Sequence, residues 1–247
     1  MSTPEELFWD DFADTYAEIQ EESQLPIAKD LVAYLREIDL LPLDTFVDFA
    51  AGSGKYVAAF YPFVQRYVAL DFSQEMLRII RQRVPDPQEK IIRTKKDQQS
   101  FLADPTVYPC IFMAMNPALV DEESLLRFCQ KTTCLLILRV VEESEDLFQP
   151  FEIPAEANDA LELNNTYKRW LDQAGIPWKS QQFAYVVTEV IDQPTFRAYF
   201  ADDYAPSTLD TLCQQVFEQK QHRISTTKIV FELLIVQNEC AADHKSI

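Results

Sequence analysis

The sequence predicts an α/β protein with a doubly wound, mostly parallel sheet and helices on both faces. Short apolar runs alternate along the chain with segments whose apolar residues recur at helical spacing. The runs are apolar throughout, as expected of parallel strands that are buried on both faces. In such sheets ligands bind beyond the carboxyl ends of the strands. The residues that follow each predicted strand are therefore the first candidates for a functional site.

Composition limits the classes of function. The chain has 247 residues, of which 47% are hydrophobic, and a formal net charge of -18. This length and apolar content suit a single domain with a large core. A negative field of this size repels phosphodiester backbones. We therefore expect no direct contact with nucleic acid, and the oligomeric state stays open.

The sequence also predicts the compartment and argues against a metal. No apolar run is long enough to cross a bilayer, and the acidic first residues do not resemble a signal peptide. The five cysteines form no CxxC pair and suit reduced thiols. The only two histidines, His222 and His244, lie near the end of the sequence, which argues against zinc or a histidine-activated nucleophile. We expect a cytoplasmic protein without a metal or a membrane partner.

Two helices are predicted before the first strand. Pro4 and the glutamates after it suit a helix start, and apolar residues recur at helical spacing to about Glu21. A second amphipathic segment begins near Pro26. The first helix is interpreted as a packing helix, and the alternative is that Trp9 or Tyr16 also lines a pocket.

A pair of glycines follows the first predicted strand, Thr45 to Ala50. The chain contains only three glycines, where average usage would give roughly 17, yet Gly52 and Gly54 lie here with one residue between them. Glycine permits positive φ and lets the backbone approach a ligand closely. An isolated pair of this kind is often an ordinary tight turn, so the interpretation depends on the residues around it.

The later predicted strands also end at polar residues that could bind a ligand or take part in a reaction. In chain order, the residues at the strand ends are Gly52, Gly54, Asp71, Asp97, Asn116 and Glu142. Ser73 and Asp121 are placed to cap the helices that follow two of these strands. Asp71 lies about 20 residues after the glycine turn, where a carboxylate can accept both hydroxyls of a ribose. Asp97 is placed to accept from an exocyclic amine such as that of adenine.

The second half of the chain mixes helices and strands. An acidic, irregular excursion is predicted over 142–159, followed by a helix that stops at Gly175. The remaining predicted elements are strands over 181–191 and 224–236 and helices over 194–204 and 206–220.

The segment Val47 to Gly54, VDFAAGSG, resembles the first motif of the class I S-adenosylmethionine-dependent methyltransferases. The segment Ala69 to Leu77 resembles the following one, in which the acid holds the ribose, and Trp9 to Tyr16 is similar to the N-terminal helix that closes over the cofactor. The resemblance implies a Rossmann-like, seven-stranded sheet whose last strand is antiparallel. It implies one methyltransferase domain over 1–247, with a helical cap (1–43), a cofactor-binding core (44–141) and a substrate-side insertion with C-terminal strands (142–247).

The resemblance implies S-adenosylmethionine as the cofactor and S-adenosylhomocysteine as the product. The residues that it assigns to the cofactor are Asp48, Ala50, Gly52, Gly54, Asp71, Phe72, Met76, Asp97, Asn116 and Tyr16. Ala50 departs from the family pattern, because the first glycine of the motif usually stands there. A nicotinamide dinucleotide is the alternative cofactor, but its GxGxxG pattern would need a glycine where Val57 stands.

Methyl transfer mainly requires alignment of the nucleophile with the methyl carbon. No catalytic residue is assigned, and the candidates are Asn116, Tyr16 and Glu142. The segment Asn116 to Leu119, NPAL, partly resembles the Asn-Pro-Pro-aromatic motif of enzymes that methylate amino groups, although it is interpreted mainly as a strand-ending turn. The expected acceptor is a small molecule, neutral or cationic rather than anionic. The alternatives are a cofactor-binding protein without transferase activity and a methyltransferase that acts on tRNA or protein with a partner.

Overall fold

The structure is a computed structural model that describes residues 3–22, 25–153, 159–218 and 220–237. The end of the predicted excursion, at 154–158, lies outside the described residues, as does His244. Among the described helices, none is long and apolar enough to cross a membrane.

The described elements alternate as the sequence predicts. The helices are α1 (Pro4–Glu22), α2 (Ile27–Glu37), α3 (Val57–Phe60), α4 (Gln74–Arg83), α5 (Gln98–Ala103), α6 (Glu122–Gln130), α7 (Leu163–Gln173), α8 (Gln193–Tyr199) and α9 (Pro206–Phe217). The strands are β1 (Leu43–Phe49), β2 (Val64–Asp71), β3 (Ile91–Lys95), β4 (Tyr108–Ala114), β5 (Thr132–Glu145), β6 (Trp178–Asp192) and β7 (His222–Gln237). Short 3-10 turns occupy Tyr61–Phe63, Gln149–Phe151 and Asp159–Glu162.

One seven-stranded sheet has the order β3-β2-β1-β4-β5-β7-β6. The first five strands pair in parallel, with Asp48 of β1 opposite Ala69 of β2 and Phe112 of β4. β7 and β6 are antiparallel, and β7 is inserted between β5 and β6. The predicted doubly wound sheet with an antiparallel last strand is therefore confirmed. The order reverses between β1 and β4, and ligands bind at such a reversal in sheets of this kind.

The chain divides into two compact units. Within the described ranges, the first comprises the residues of 3–139, Leu163–Phe183 and 232–237, and the second comprises those of 140–162 and 184–231. The first unit has an apolar core in which β1, β4 and β5 contribute their Val, Phe, Ile, Met and Leu side chains. The second has its own aromatic core around Phe196, Phe200 and Phe217. The predicted single domain with its three internal segments stays a prediction.

Helix α1 packs on the rest of the first unit through two stripes of residues, one apolar and one acidic. Ala13 and Ala17 are buried against Met76 and Ile79 of α4. The acidic contacts recur along the helix: Glu6 with Lys95, Asp10 with Ser73, Asp14 with Arg78 and Glu21 with Arg83. Exposed ion pairs contribute little singly, so the apolar stripe carries most of the docking energy.

One prediction of local structure is wrong, and one helix was missed. The irregular excursion was predicted from Glu142, but β5 continues to Glu145. Glu142 therefore lies within a strand rather than at its end, and its carboxylate pairs with Lys228 Nζ at 2.6 Å. The acidic sequence did not indicate a strand here, because Lys228, the cation that pairs with Glu142, lies 86 residues further along the chain. Helix α5 was not predicted, and Asp97 caps it through Ser100 N at 2.8 Å.

Candidate functional site

A cavity of about 500 Å³ lies at the ends of β1, β2 and β4, all in the first unit. Its walls combine aromatic and aliphatic side chains with a few polar ones. The lining residues are Glu5, Trp9, Phe49, Ala50, Leu70, Asp71, Phe72, Lys96, Asp97, Gln98, Gln99, Asn116, Pro117 and Ala118. Apolar walls with a few convergent polar groups are typical of small-molecule sites.

Asp71 is the buried acid of this cavity. Its side chain is 5% exposed at the end of β2. Gly52 N donates to Oδ2 at 2.8 Å and Ser73 N donates to Oδ1 at 2.9 Å. Burial raises the pKa of Asp71, while the backbone donors from Ser73 and Gly52 lower it. The carboxylate is thus fixed in direction, and its remaining lone pairs can accept from a ligand.

The glycine loop has left-handed backbone at three alternate positions. Ala50 has φ 58°, Gly52 has φ 53° and Gly54 has φ 86°. A Cβ at Gly54 would lie 2.9 Å from Ile80 Cγ1, and a Cβ at Gly52 would lie 3.4 Å from Tyr16 Cε1. Gly54 is therefore required by close packing on α4. Ala50 adopts a conformation in which an L-residue is disfavoured, which explains why glycine is usual there.

Asp48 lies in the interior of the sheet. Its side chain is 1% exposed, and Tyr67 Oη donates to Asp48 Oδ2 at 2.6 Å. Burial raises the pKa of Asp48 to about 7, against the hydrogen bond from Tyr67, and the charge of Asp71 raises it further. Asp48 is not among the residues that line the cavity.

Asn116 ends β4 in a tightly held turn on the cavity wall. Its Oδ1 accepts from Ala118 N at 3.0 Å, and its amide nitrogen lies 3.3 Å from Gln98 Oε1. The predicted strand-ending turn is therefore present. Buried Arg139 donates from Nη1 to the Asn116 carbonyl at 3.0 Å, and Tyr167 Oη donates to Leu119 O at 2.6 Å. These two bonds fix both ends of the turn.

Helix α1 supplies one wall of the cavity. Trp9 lines it, as the alternative interpretation of this helix allowed. The rings of Tyr16 and Trp9 pack in a T-shaped arrangement, with their centroids 5.6 Å apart. Burial and then the charge of Asp71 raise the pKa of Tyr16, whose hydroxyl accepts from Gln20. Asp10 accepts from Ser73 Oγ at 2.6 Å, so the helix is attached beside Asp71.

The structure brings about half of the predicted site residues to the cavity. Those on its wall are Ala50, Asp71, Phe72, Asp97 and Asn116. Those not on its wall are Asp48, Gly52, Gly54, Met76, Tyr16 and Glu142. Met76 packs under α1 instead, and Glu142 belongs to the second unit. The cofactor roles of all these residues stay predictions.

Four polar lining residues were not predicted: Glu5, Lys96, Gln98 and Gln99. Gln98 and Gln99 belong to α5, whose six residues are too short to leave a periodic signal. Asp97 and Ser100 were the available signal, since this pair is an N-cap pattern. Lys96 pairs with Asp104 at 2.7 Å, which neutralises its charge beside the cavity.

No protein-family model and no curated protein sequence matches the chain. Solved structures are similar at low identity. The precorrin-6Y C5,15-methyltransferase from Geobacter metallireducens is 12% identical with a TM-score of 0.50, over 85% of this chain and 87% of that one. The plantazolicin methyltransferase BpumL in complex with SAH is 12% identical with a TM-score of 0.48, over 96% and 92%. The precorrin 8W decarboxylase of Methanobacterium thermoautotrophicum is 10% identical with a TM-score of 0.47, over 82% and 88%.

At these identities the similarity concerns the fold. The strand order, the inserted antiparallel β7 and the match to the precorrin-6Y enzyme define the Rossmann-like fold of the class I methyltransferases. The fold that the sequence resemblance implies is therefore confirmed. Fold alone does not assign an activity, so the activity has to be argued from the cavity.

Proposed function

We propose that the protein is an S-adenosylmethionine-dependent methyltransferase that acts on a small-molecule acceptor. The observation that carries the proposal is the buried carboxylate of Asp71, which lies on the cavity wall and is oriented by the backbone N–H groups of Gly52 and Ser73. An oriented acceptor at the end of the second strand suits the vicinal hydroxyls of a ribose.

The other walls fit a nucleoside cofactor as well. Phe49, Leu70 and Phe72 offer apolar surface for a planar base, and Ala50 leaves little side chain between backbone and ligand. Asp97 keeps acceptor capacity at the cavity although it also caps α5. A cavity of about 500 Å³ lies within the usual range for small-molecule sites.

When bound, S-adenosylmethionine supplies a methyl carbon that is activated by a sulfonium. The contribution of this chain is to bind and orient, because alignment is the main requirement of an in-line displacement. Asp71 would hold the ribose, and Trp9 would exclude water from one side. Asn116, held at both ends of its turn, offers an amide beside the cavity and is the candidate to face the acceptor.

Calorimetry tests the cofactor part of the proposal. We expect S-adenosylhomocysteine to bind the wild type, and Asp71→Ala to weaken binding at least roughly tenfold, the size of a lost charged hydrogen bond. Asp146→Ala is the control, since Asp146 belongs to the second unit. No binding of either cofactor form at millimolar concentration would refute the proposal.

A binding protein without transferase activity is the second candidate, and Ala50 is the observation that favours it. An alanine at φ 58° stands where the family motif usually has glycine, which is compatible with a site that binds but no longer turns over. Transfer of a labelled methyl group to any acceptor, lost in Asp71→Ala, would exclude this candidate. A tRNA or protein acceptor would require a basic partner, given the net charge of -18.

A further inference from the structure

A second cavity, of about 290 Å³, opens beside the glycine loop in the first unit. It shares no lining residue with the first cavity. Its polar walls come from the end of α1, the glycine loop and the end of α4. The polar lining residues are Gln20, Glu21, Ser53, Lys55 and Arg83, and Gly54 lies between Ser53 and Lys55.

Lys55 makes no ion pair with the described residues, because the one carboxylate that lines this cavity, that of Glu21, pairs with Arg83 instead. Its side chain is half-buried, and among the described residues no carboxylate or other hydrogen-bond acceptor contacts its ammonium. Burial lowers its pKa. Buried charges in proteins are normally paired.

The other polar side chains of the cavity are one carboxylate, one guanidinium, one amide and one hydroxyl, from Glu21, Arg83, Gln20 and Ser53. The Ser53 hydroxyl has no hydrogen-bond partner among the residues that the structure describes. The carboxylate of Glu21 accepts from Arg83 Nη1 at 2.6 Å, so its charge is already balanced. Arg83 keeps further N–H groups, since a guanidinium has five. The cavity thus has two cationic side chains, Lys55 and Arg83, against one carboxylate, Glu21.

We propose that this second cavity binds a small anion that carries a carboxylate or phosphate group, with Lys55 as its counter-ion and Ser53 as a hydrogen-bond donor. The anion would supply the counter-charge that Lys55 lacks. It would be partly desolvated in the cavity, and charge-assisted hydrogen bonds are strong in such surroundings. Because Ser53 and Lys55 flank Gly54, the bound anion would also contact the glycine loop. The site goes beyond the proposed function and does not depend on it.

Inorganic phosphate and succinate, titrated at constant ionic strength without any cofactor, test the site. We expect saturable binding by calorimetry and a rise in the pKa of Lys55, followed through its 13Cε resonance. Lys55→Met should weaken binding at least roughly tenfold, Ser53→Ala less, and Lys55→Arg should retain it. Lys179→Met removes an exposed lysine outside the cavity and should bind like the wild type.

A further titration tests whether the second cavity binds a free anion or the carboxylate of the cofactor's own methionine. Phosphate binding should stay within about twofold of its value when S-adenosylhomocysteine is saturating. Competition between the two would overturn the proposal, as would the absence of saturable binding or equal binding by Lys55→Met. Lys55→Met and Lys55→Arg are compared by thermal unfolding, so that a folding defect is distinguished from a lost site. A protein that fails to bind S-adenosylhomocysteine would refute the proposed function and leave this result intact.

Discussion

Gly52 and Asp71 are joined by a hydrogen bond of 2.8 Å from the backbone nitrogen of one to the carboxylate of the other, across 19 residues of sequence. This bond connects the loop after β1 with the end of β2. The bond couples the glycine loop to Asp71, because the conformation of the loop orients the carboxylate. The positive φ of Gly52 (53°) is part of this arrangement.

Gly54→Ala should destabilise the protein by about 2–4 kcal/mol. Two causes combine: the φ of 86° is unfavourable for alanine, and the new Cβ would lie 2.9 Å from Ile80 Cγ1. Gly175→Ala is the matched control, because Gly175 has φ 67° but no atom within 4 Å of a built Cβ. Urea unfolding of both variants isolates the steric part, and equal losses would contradict the close-packing argument.

Ala50→Gly should leave stability unchanged or raise it by up to about 1 kcal/mol. Glycine removes the cost of left-handed backbone at φ 58°, and the greater freedom of the unfolded chain offsets part of the gain. Ala51→Gly is the control. Ala51 is buried and has no positive φ, so glycine there should cost about 0.5–1 kcal/mol. Denaturant titration measures both, and equal destabilisation would show that Ala50 is not strained.

Asp48→Asn should change how stability depends on pH. The folded-state pKa of Asp48 is about 7, above the unfolded value near 3.8, so the protonated acid stabilises the fold. That stability is complete below the unfolded pKa and is lost as pH rises through 7. Wild type should therefore lose roughly 2 kcal/mol relative to Asp48→Asn between pH 5.5 and 8.5. The asparagine Oδ1 can still accept from Tyr67. Unfolding free energies that stay parallel over this range would contradict the buried-acid assignment.

Tyr167→Phe should weaken both the fold and the cofactor site. Tyr167 is fully buried and its hydroxyl donates to Leu119 O at 2.6 Å, so the loss leaves a buried acceptor unpaired at a cost of about 1–3 kcal/mol. The loosened Asn116 turn should lower the affinity for S-adenosylhomocysteine several-fold. Calorimetry and urea unfolding give the two readouts.

Tyr204→Phe is the control for that experiment. The hydroxyl of Tyr204 also donates to a backbone carbonyl at 2.6 Å, that of Phe151, but both residues belong to the second unit. It should lower stability without changing cofactor affinity. Equal affinity losses in the two variants would show that the effect of Tyr167 is not transmitted through the turn.

Most of the fold could be predicted because its signals are local. Ser73 and Asp121 cap α4 and α6 as predicted, accepting from Met76 N and Ser124 N. The apolar runs became strands because they are buried on both faces. The prediction was wrong at Glu142, where the deciding contact is distant, and it missed α5, whose six residues are too short to leave a periodic signal. The acidic end of β5 is offset by Lys228, which no local pattern shows.

The sequence by itself determined the order of the strands and of the helices other than α5, the glycine loop and the position of Asp71 one strand later, since each depends on residues that are neighbours along the chain. Tertiary structure decided which of the predicted residues share a cavity. It placed Asp48 inside the sheet with Tyr67, brought Gln98 to Asn116 and paired Glu21 with Arg83 rather than with Lys55 in the second cavity. Burial and pairing depend on residues that are far apart in sequence, so the sequence alone could not predict the raised pKa of Asp48 or the lowered pKa of Lys55.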